Sequence, residues 1–147
     1  MTMRSVRVFA AILFFVCVAG CAATEVATAP PGADISGKQF APPPPGLGAV
    51  YFYYPTTVGP AINVGVGPQR VARLGPMTWA RVELNPGGHV LHCRGPNAVN
   101  SLSVSIAPGD MRFIDIQEPV GAYACTIRET GPDAGRAGVM AGTRALQ

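Results

Sequence analysis

Pairs of adjacent proline and glycine residues recur at short intervals through the second two thirds of the chain. They stand at Gly59-Pro60, Gly67-Pro68, Gly75-Pro76, Pro86-Gly87, Gly95-Pro96, Pro108-Gly109 and Gly131-Pro132. Each pair favours a turn and interrupts a helix, so the segments between them have room for short strands but not for long helices. The 18 glycines and 15 prolines, with charged residues at 13% of the chain, agree with this pattern.

Apolar and polar residues alternate within the segments that these turns separate. The pattern is cleanest where Leu102, Val104 and Ile106 alternate with serines at 101, 103 and 105. A period of two is typical of strands with one buried face. Short strands are therefore predicted over 50–54, 62–66, 71–74, 77–84, 89–94, 101–106, 111–117 and 120–129. Together they predict an all-β fold, a small antiparallel β-sandwich of about seven short strands over residues 48–130.

The N-terminus has the layout of a secretory signal peptide over residues 1–20. Arg4 and Arg7 precede an apolar run, and small residues lead to Cys21. The apolar run over 8–23 has 16 residues, fewer than the ~20 that a membrane-spanning helix needs. This shortfall disfavours the alternative of an uncleaved N-terminal anchor.

The segment Val18-Ala19-Gly20-Cys21 resembles the lipobox of bacterial lipoproteins. The resemblance implies cleavage before Cys21, diacylglycerol on its sulfur and acylation of its amine; two or more chains hold a protein stably on a bilayer. The residue after the cysteine is Ala22 and not an aspartate. In lipoproteins of enteric-type bacteria, this resembles the pattern that is sorted to the outer membrane. We therefore expect a lipid anchor at Cys21 in the bacterial outer membrane, with the domain facing the periplasm.

Residues 21–47 and 131–147 flank the predicted sandwich. Alanine and proline are frequent in the first segment, which contains an unbroken proline run from Pro42 to Pro45. Such a run favours a semi-rigid polyproline II spacer, so 21–47 is predicted to be a lipidated tether, and plain disorder is compatible with the same composition. In the second segment a short helix can begin behind Asp133, although three glycines weaken that prediction.

Three short motifs in the predicted strands and turns resemble a known family. They are the aromatic strand from Val50 to Pro55, the turn Pro86-Gly87-Gly88-His89 and the segment 109–114. On these motifs, residues 48–129 resemble the DUF2846 lipoproteins of bacteria; PEGA-like modules, which are also small sandwiches, share the hairpin-and-turn pattern. The sequence departs from the family at 67–69, where an Asp-Gly turn is usual, and after Gly109, where a tyrosine is usual. The resemblance implies a fold and brings no catalytic residues with it.

Most of the net positive charge of the chain, which is +3, belongs to the predicted signal peptide. It holds two of the 11 basic residues, so nine remain in the mature chain against eight acidic residues. No block of like charge remains, which argues against nucleic-acid partners and against a polybasic contact with the membrane.

Cys93 and Cys125 are the cysteines that remain when Cys17 leaves with the signal peptide and Cys21 is acylated. Alternation places each on the inward face of its strand, and an oxidising periplasm permits a disulfide between them. Closing a loop of about 30 residues would stabilise the fold by about 3 kcal/mol. The alternative is two separate buried thiols that pack as small apolar groups.

The sequence contains no pattern typical of a catalytic or metal site. His89, His92 and Cys93 are close in sequence, but the two histidines point to opposite faces of a strand and no further ligand pair is near. The motifs of the nucleophile elbow, the zinc proteases and the phosphate-binding loop are missing. We therefore predict no enzyme activity, no metal and no cofactor.

Tyr51, Tyr53 and Trp79 lie opposite the strand faces that are assigned to the core. Exposed aromatic side chains would form an interaction surface; alternatively, the C-terminal segment or the second sheet covers the tyrosines. The sequence thus predicts a non-catalytic structural or protein-interaction module of the cell envelope, with an envelope protein as its partner. The alternative function is a binding module for a small periplasmic ligand or glycan that uses these aromatics.

Overall fold

Nine strands and two short helices build the part of the chain that the computed structural model describes, residues 25–119 and 124–147. The predicted signal peptide, Cys21 and the start of the strand predicted over 120–129 lie outside these residues. The elements are α1 (Pro31–Gly37), β1 (Gly48–Tyr54), β2 (Ile62–Val66), β3 (Gln69–Leu74), β4 (Thr78–Leu84), β5 (Gly87–Arg94), β6 (Val99–Ile106), β7 (Met111–Gln117), β8 (Thr126–Thr130), α2 (Pro132–Ala141) and β9 (Thr143–Arg144).

The strands form two sheets. The first, which we call the covered sheet, has five strands in the order β8-β7-β1-β4-β9, and the second, the open sheet, has four in the order β3-β2-β5-β6. This confirms the all-β prediction, with nine strands where about seven were expected. The other described pairs are antiparallel, but β1 with β7 and β4 with β9 are parallel, so the covered sheet is mixed. Parallel neighbours need a long connection. Between β1 and β7 the chain forms all four strands of the open sheet.

The main core lies between the two sheets and uses the alternate residues that the sequence pattern selects. Val50 and Phe52 of β1, Leu91 of β5 and Ile114 of β7 are fully buried there. Apolar burial of this kind, at about 25 cal/mol per Å², is the main term that stabilises a small domain. The strands and helices described here are all formed by residues between Pro31 and Arg144.

The predicted tether differs from an extended spacer in the part that the structure describes. Thr28 forms a bridge with Ala145, and the amide of Ala29 donates to the carbonyl of Arg144 at 2.8 Å. Helix α1 follows at once, with Pro31 at its first position. Proline is tolerated there because the N–H that it lacks would have no partner within the helix. This segment is therefore attached to the domain, and Asp34, Gly37 and Phe40 contact aromatic residues of the covered sheet.

Helix α2 lies across the other end of the covered sheet. It begins at Pro132 and carries Gly135 and Gly138 on the side that faces the sheet. A Cβ on Gly135 would collide with Phe113, and a Cβ on Gly138 would collide with Tyr53. The glycines that weaken the helix prediction are thus the residues that let α2 approach the sheet closely.

Candidate functional site

The disulfide between Cys93 and Cys125 is present, with the two Cα atoms 6.1 Å apart. It joins β5 of the open sheet to the residue before β8 of the covered sheet, so it ties the two layers together. Asn100 of β6 also contacts this junction, because its side-chain amide donates to the carbonyl of Cys125. The alternative of two separate thiols is excluded, and the bond serves the structure by holding the two layers together.

The aromatic interaction surface predicted from Tyr51, Tyr53 and Trp79 is wrong, because all three side chains are buried. Their exposed fractions are 0%, 4% and 0%, respectively. They form a second apolar cluster with Phe113 and Val139 on the outer side of the covered sheet, beneath the two helices. The alternative that the C-terminal segment covers the tyrosines is correct in part, because α2 forms one half of the cover. The other half, α1 and Phe40, comes from the segment predicted to be a tether.

Asp34 of α1 fastens this cover to the sheet. Its Oδ1 accepts hydrogen bonds from Trp79 Nε1 at 3.0 Å and from the Arg144 amide at 2.7 Å, and its Oδ2 pairs with Lys38 Nζ at 2.8 Å. Burial acts to raise the pKa of Asp34, but these hydrogen bonds and the charge of Lys38 outweigh it and hold the pKa below its usual value. The carboxylate therefore remains charged in the folded protein at neutral pH.

The Tyr51 hydroxyl, at the polar edge of the aromatic cluster, has both of its partners within the protein. The hydroxyl of Tyr51 donates to the Gly37 carbonyl at 3.1 Å and accepts from Arg81 at 2.9 Å, while the Arg81 guanidinium lies 5.3 Å from the centre of the Tyr51 ring. Arg81 Nε lies 2.9 Å from Glu83 Oε1, in the range of an ion pair but without hydrogen-bond alignment. Burial raises the pKa of the Tyr51 phenol, and Arg81 partly opposes this. The cluster is therefore a closed second core that offers no aromatic platform to a ligand.

The two histidines occupy different environments. His89 Nε2 lies 2.8 Å from the carbonyl oxygen of Asn85, in the connection between β4 and β5. His92 lies on the outer face of the open sheet, with its ring over Gly65. Among residues 25–119 and 124–147, no group of three or more histidine, cysteine or acidic side chains is arranged to hold a metal ion. Within the same residues, no helix has the length and apolar character of a membrane span.

A groove of about 750 Å³ opens at the end of the sandwich where the described chain begins. Glu25, Val26 and Val58 line it together with threonines and the connection from β3 to β4. Glu25 is the one ionisable side chain among its described lining residues, so these residues supply no acid–base pair for catalysis. The groove is therefore notable for its position, beside the first described residues, Glu25 and Val26.

A row of polar residues crosses the outer face of the open sheet. Arg73 pairs with Asn63 across β3 and β2, and Asn63 pairs with Arg94 across β2 and β5. Both arginines are exposed. They are separated by two strand spacings, about 10 Å.

A β-bulge brings a third arginine to this face. Val64 pairs with Ala72, but the next residue, Gly65, pairs with Arg70, so Val71 is the extra residue of β3. Strict alternation would place Arg70 on the inward side with Ala72; the bulge turns it outward, next to the row of Arg73. We call the set Asn63, Arg70, Arg73, His92 and Arg94 the arginine face.

The two sheets differ in the distribution of charge. All eight acidic residues of the chain lie outside the open sheet: Glu25, Asp34, Glu83, Asp110, Asp115, Glu118, Glu129 and Asp133. Four of the basic residues around the covered sheet, Lys38, Arg81, Arg112 and Arg128, make ion pairs of 2.7 to 2.9 Å with them. The other two, Arg136 and Arg144, stack on aromatic rings. In the described part of the chain, no ion pair or side-chain hydrogen bond engages Arg70, Arg73 or Arg94.

Sequence reasoning missed the arginine face because its charges are spread over two strands, β3 and β5, that are not adjacent in the sheet, and because the outward position of Arg70 depends on a bulge. The signal that could have revealed it is the distribution of acids. No aspartate or glutamate occurs over 35–82 or over 84–109, the two stretches that contain the whole open sheet. A cationic surface without acidic neighbours can recognise an external partner by charge.

Comparison with known proteins provides little further information. No protein-family model matches the chain, and no curated protein matches it. The resemblance to DUF2846 and PEGA-like modules therefore stays a prediction. Among solved structures, the N-terminal domain of AlgF from P. aeruginosa is similar at 17% identity over 60% of this chain and 99% of that chain, with a TM-score of 0.41. A likeness at this level carries no inference about the function of this chain.

Proposed function

We propose that this protein is a non-catalytic interaction module of the bacterial cell envelope. An acylated Cys21 holds it at the outer membrane, its domain is on the periplasmic side, and an envelope protein is its partner. The lipobox-like segment supports the anchor, and the absence of an acid–base pair among the described groove residues supports a non-catalytic role. The glycan-binding alternative is not retained, because it requires exposed aromatics at positions that are buried.

The observation that carries this proposal is the attachment of the N-terminal segment to the last strand. Besides the bridge from Thr28 to Ala145, the amide of Leu146 donates to the carbonyl of Ala27 at 2.8 Å. Val26 packs against the main core and reaches Gly75 in the connection from β3 to β4. The chain is thus fastened to the domain from Val26 onward, only five residues after Cys21.

This attachment sets the distance between the domain and the membrane. Four peptide steps separate Cys21 from Glu25, and a fully extended chain spans at most about 3.5 Å per residue, so the reach is about 14 Å. A flexible spacer of 26 residues would have allowed a much wider search. A short reach suits a module that acts at the membrane surface on partners held in the same membrane.

Replacement of the cysteine tests the anchor. In cells, Cys21→Ser is expected to block processing and acylation, which mass spectrometry of the N-terminal peptide would detect as a missing lipid and a retained signal. Cys17→Ser is the matched control, because it removes a thiol from the signal peptide and leaves the proposed lipid acceptor intact. An unacylated mature N-terminus in the native protein would overturn the proposed anchor.

Site-specific photocrosslinking in intact cells tests the interaction role. A crosslinker at Val58, which is 79% exposed beside the groove, is expected to capture an envelope protein, because this end of the domain is nearest to the membrane. A crosslinker at Val90 on β5, which is 50% exposed and does not line this groove, is the control for an exposed apolar position elsewhere on the domain. If neither position gives a discrete product and deletion of the gene leaves the envelope unchanged, the interaction role is wrong.

A further inference from the structure

We propose that the arginine face is a docking surface for the anionic phospholipid headgroups of the membrane that carries the protein. The proposal rests on the proposed anchor for its geometry and on the charges of the folded domain for its chemistry. The occupant it names is the phosphate-rich surface of a bilayer. The lipid chain at Cys21 would hold the protein on the membrane, and the arginine face would set how the domain lies there.

Charge complementarity is the first support. Arg70, Arg73 and Arg94 add three positive charges to a sheet without a single acidic residue. The other six basic residues of the folded domain are engaged by acids, aromatic rings or carbonyls. Guanidinium groups suit phosphate oxygens because their donors form a planar fork. A surface with unpaired guanidinium groups and no competing carboxylate is therefore open to phosphate.

The position of the anchor is the second support. Val26 contacts Gly75, and Gly75 is two residues beyond Arg73 on the same strand and its connection. Arg94 lies in the same row as Arg73, so both arginines stand at the end of the open sheet where the chain leads towards Cys21. With a reach of about 14 Å, the anchor keeps this row close to the headgroups. Exposed charges act over about 8 Å at physiological ionic strength, so such proximity is required.

The shape and chemistry of the face are the third support. Its neighbours on β6 are the exposed Ser101 and Ser103, which pair with His92 and Val90 of β5, respectively. Hydroxyl, amide and imidazole groups can donate to phosphate esters, while Val90 is too small to insert deeply into the hydrocarbon. The acids at this end of the domain, Glu25 and Glu118, lie at or near the groove and not on the face. The expected contact is therefore electrostatic and superficial.

Vesicle binding by the domain without its lipid provides the test. The chain from Ala22 to Gln147 contains every strand and helix described above; it is secreted with its disulfide and mixed with phosphatidylglycerol or phosphatidylcholine vesicles at low salt. Each arginine near an anionic surface contributes about a fivefold factor, so half-binding to phosphatidylglycerol is expected at accessible lipid on the order of 10 mM. Binding should be lost in 1 M salt and should be missing with phosphatidylcholine.

The variants decide whether the arginine face is responsible. The double variant Arg73→Gln with Arg94→Gln should weaken binding about 30-fold, while Arg73→Lys with Arg94→Lys should largely retain it. The matched control Lys38→Gln with Arg136→Gln also removes two positive charges, but from the helices that cover the other sheet. It should leave binding unchanged. Equal losses in the two double glutamine variants, with unchanged thermal unfolding midpoints, would mean that net charge and not this face binds the vesicles, which overturns the proposal.

Two further outcomes would also overturn it. The first is no binding to phosphatidylglycerol vesicles at low salt. The second is arginine-dependent binding to an acidic polysaccharide, for which polygalacturonate is the probe, with none to vesicles. Because the tested protein carries no lipid, failure here leaves the acylation of Cys21 untouched. An unacylated Cys21 in cells would conversely leave vesicle binding by the face intact.

Discussion

The indole of Trp79 donates a hydrogen bond of 3.0 Å to the carboxylate of Asp34, across 45 positions of the chain. Asp34 belongs to α1 and Trp79 to β4, so this bond joins the N-terminal cover to the middle of the covered sheet. The same carboxylate accepts the Arg144 amide of β9 at 2.7 Å. One side chain therefore links three separate parts of the sequence around a fully buried tryptophan.

Removing the Asp34 carboxylate should destabilise the domain. Asp34→Ala leaves the Trp79 indole and the Arg144 amide without an acceptor, and we expect a loss of about 2–4 kcal/mol in the free energy of unfolding. Urea denaturation followed by the fluorescence of Trp79, the single tryptophan of the chain, measures it. Lys38→Gln, which removes only the partly exposed ion pair, should cost about 1 kcal/mol or less. Equal losses in the two variants would contradict the assigned role of Asp34.

Substitution by alanine should affect the stability of the domain differently at two glycines of α1. A Cβ on Gly37 would lie 3.0 Å or less from several atoms of the Trp79 ring, whereas a Cβ on Gly32 would meet nothing within 4 Å. Alanine is the better helix former by about 1 kcal/mol, so Gly32→Ala should be neutral or slightly stabilising. Gly37→Ala should destabilise by about 1–3 kcal/mol because α1 must shift away from the sheet. Similar urea midpoints for both variants would show that α1 is not packed as described.

Local pattern predicted the strands and the layers well, because period-two alternation and turn residues act over a few positions. The alternation over 102–106 and the aromatic run at β1 both mark true strands. Parallel pairing could not be foreseen in this way, since it depends on which strands meet after the chain has crossed between sheets. Burial on the second face of β1 was likewise set by partners more than ten residues away.

The misassigned tether and the missed arginine face have the same physical origin. Proline-rich composition argues for an extended chain, but Asp34 and Phe40 find specific partners on the sheet, and tertiary contacts decide the outcome. In β3, the alternation rule places Arg70 inward, and a single extra residue, Val71, reverses that. Departures of this kind from a local rule are expected at positions that serve recognition, which agrees with the role proposed for Arg70.

Loss of the disulfide should be costly for a domain of this size. The bond closes a loop with a sequence separation of 32 residues. In the chain-entropy model this contributes about 3–4 kcal/mol, a large share of the 5–15 kcal/mol that stabilises a typical domain. The double variant Cys93→Ser with Cys125→Ser should therefore lose about 3–4 kcal/mol of unfolding free energy, which urea denaturation of the domain measures. Reductant should lower the midpoint of the native protein and leave the double variant unchanged; a reductant-insensitive native protein would argue against the bond.

Acid should weaken the attachment of the N-terminal cover to the sheet. The pKa of Asp34 in the folded protein is lower than the ordinary value of 3.8, so the folded state binds fewer protons than the unfolded state in this range. Its contribution to stability is then fully present above the unfolded value and is lost as the pH falls through the folded one. We expect an unfolding free energy that is level from pH 7 to about 5 and that declines below about pH 4. Asp34→Asn should remove part of this decline, because an amide does not titrate.

Asp110, whose pKa is lowered by the Ala107 amide and by Arg112 at the connection from β6 to β7, should account for a further part of the decline in stability with acid. Urea titrations of Asp34→Asn and of Asp110→Asn at pH 3, 4, 5 and 7 measure how the unfolding free energy depends on pH. A variant with the same pH dependence as the native protein would exclude that carboxylate as a source of the acid sensitivity.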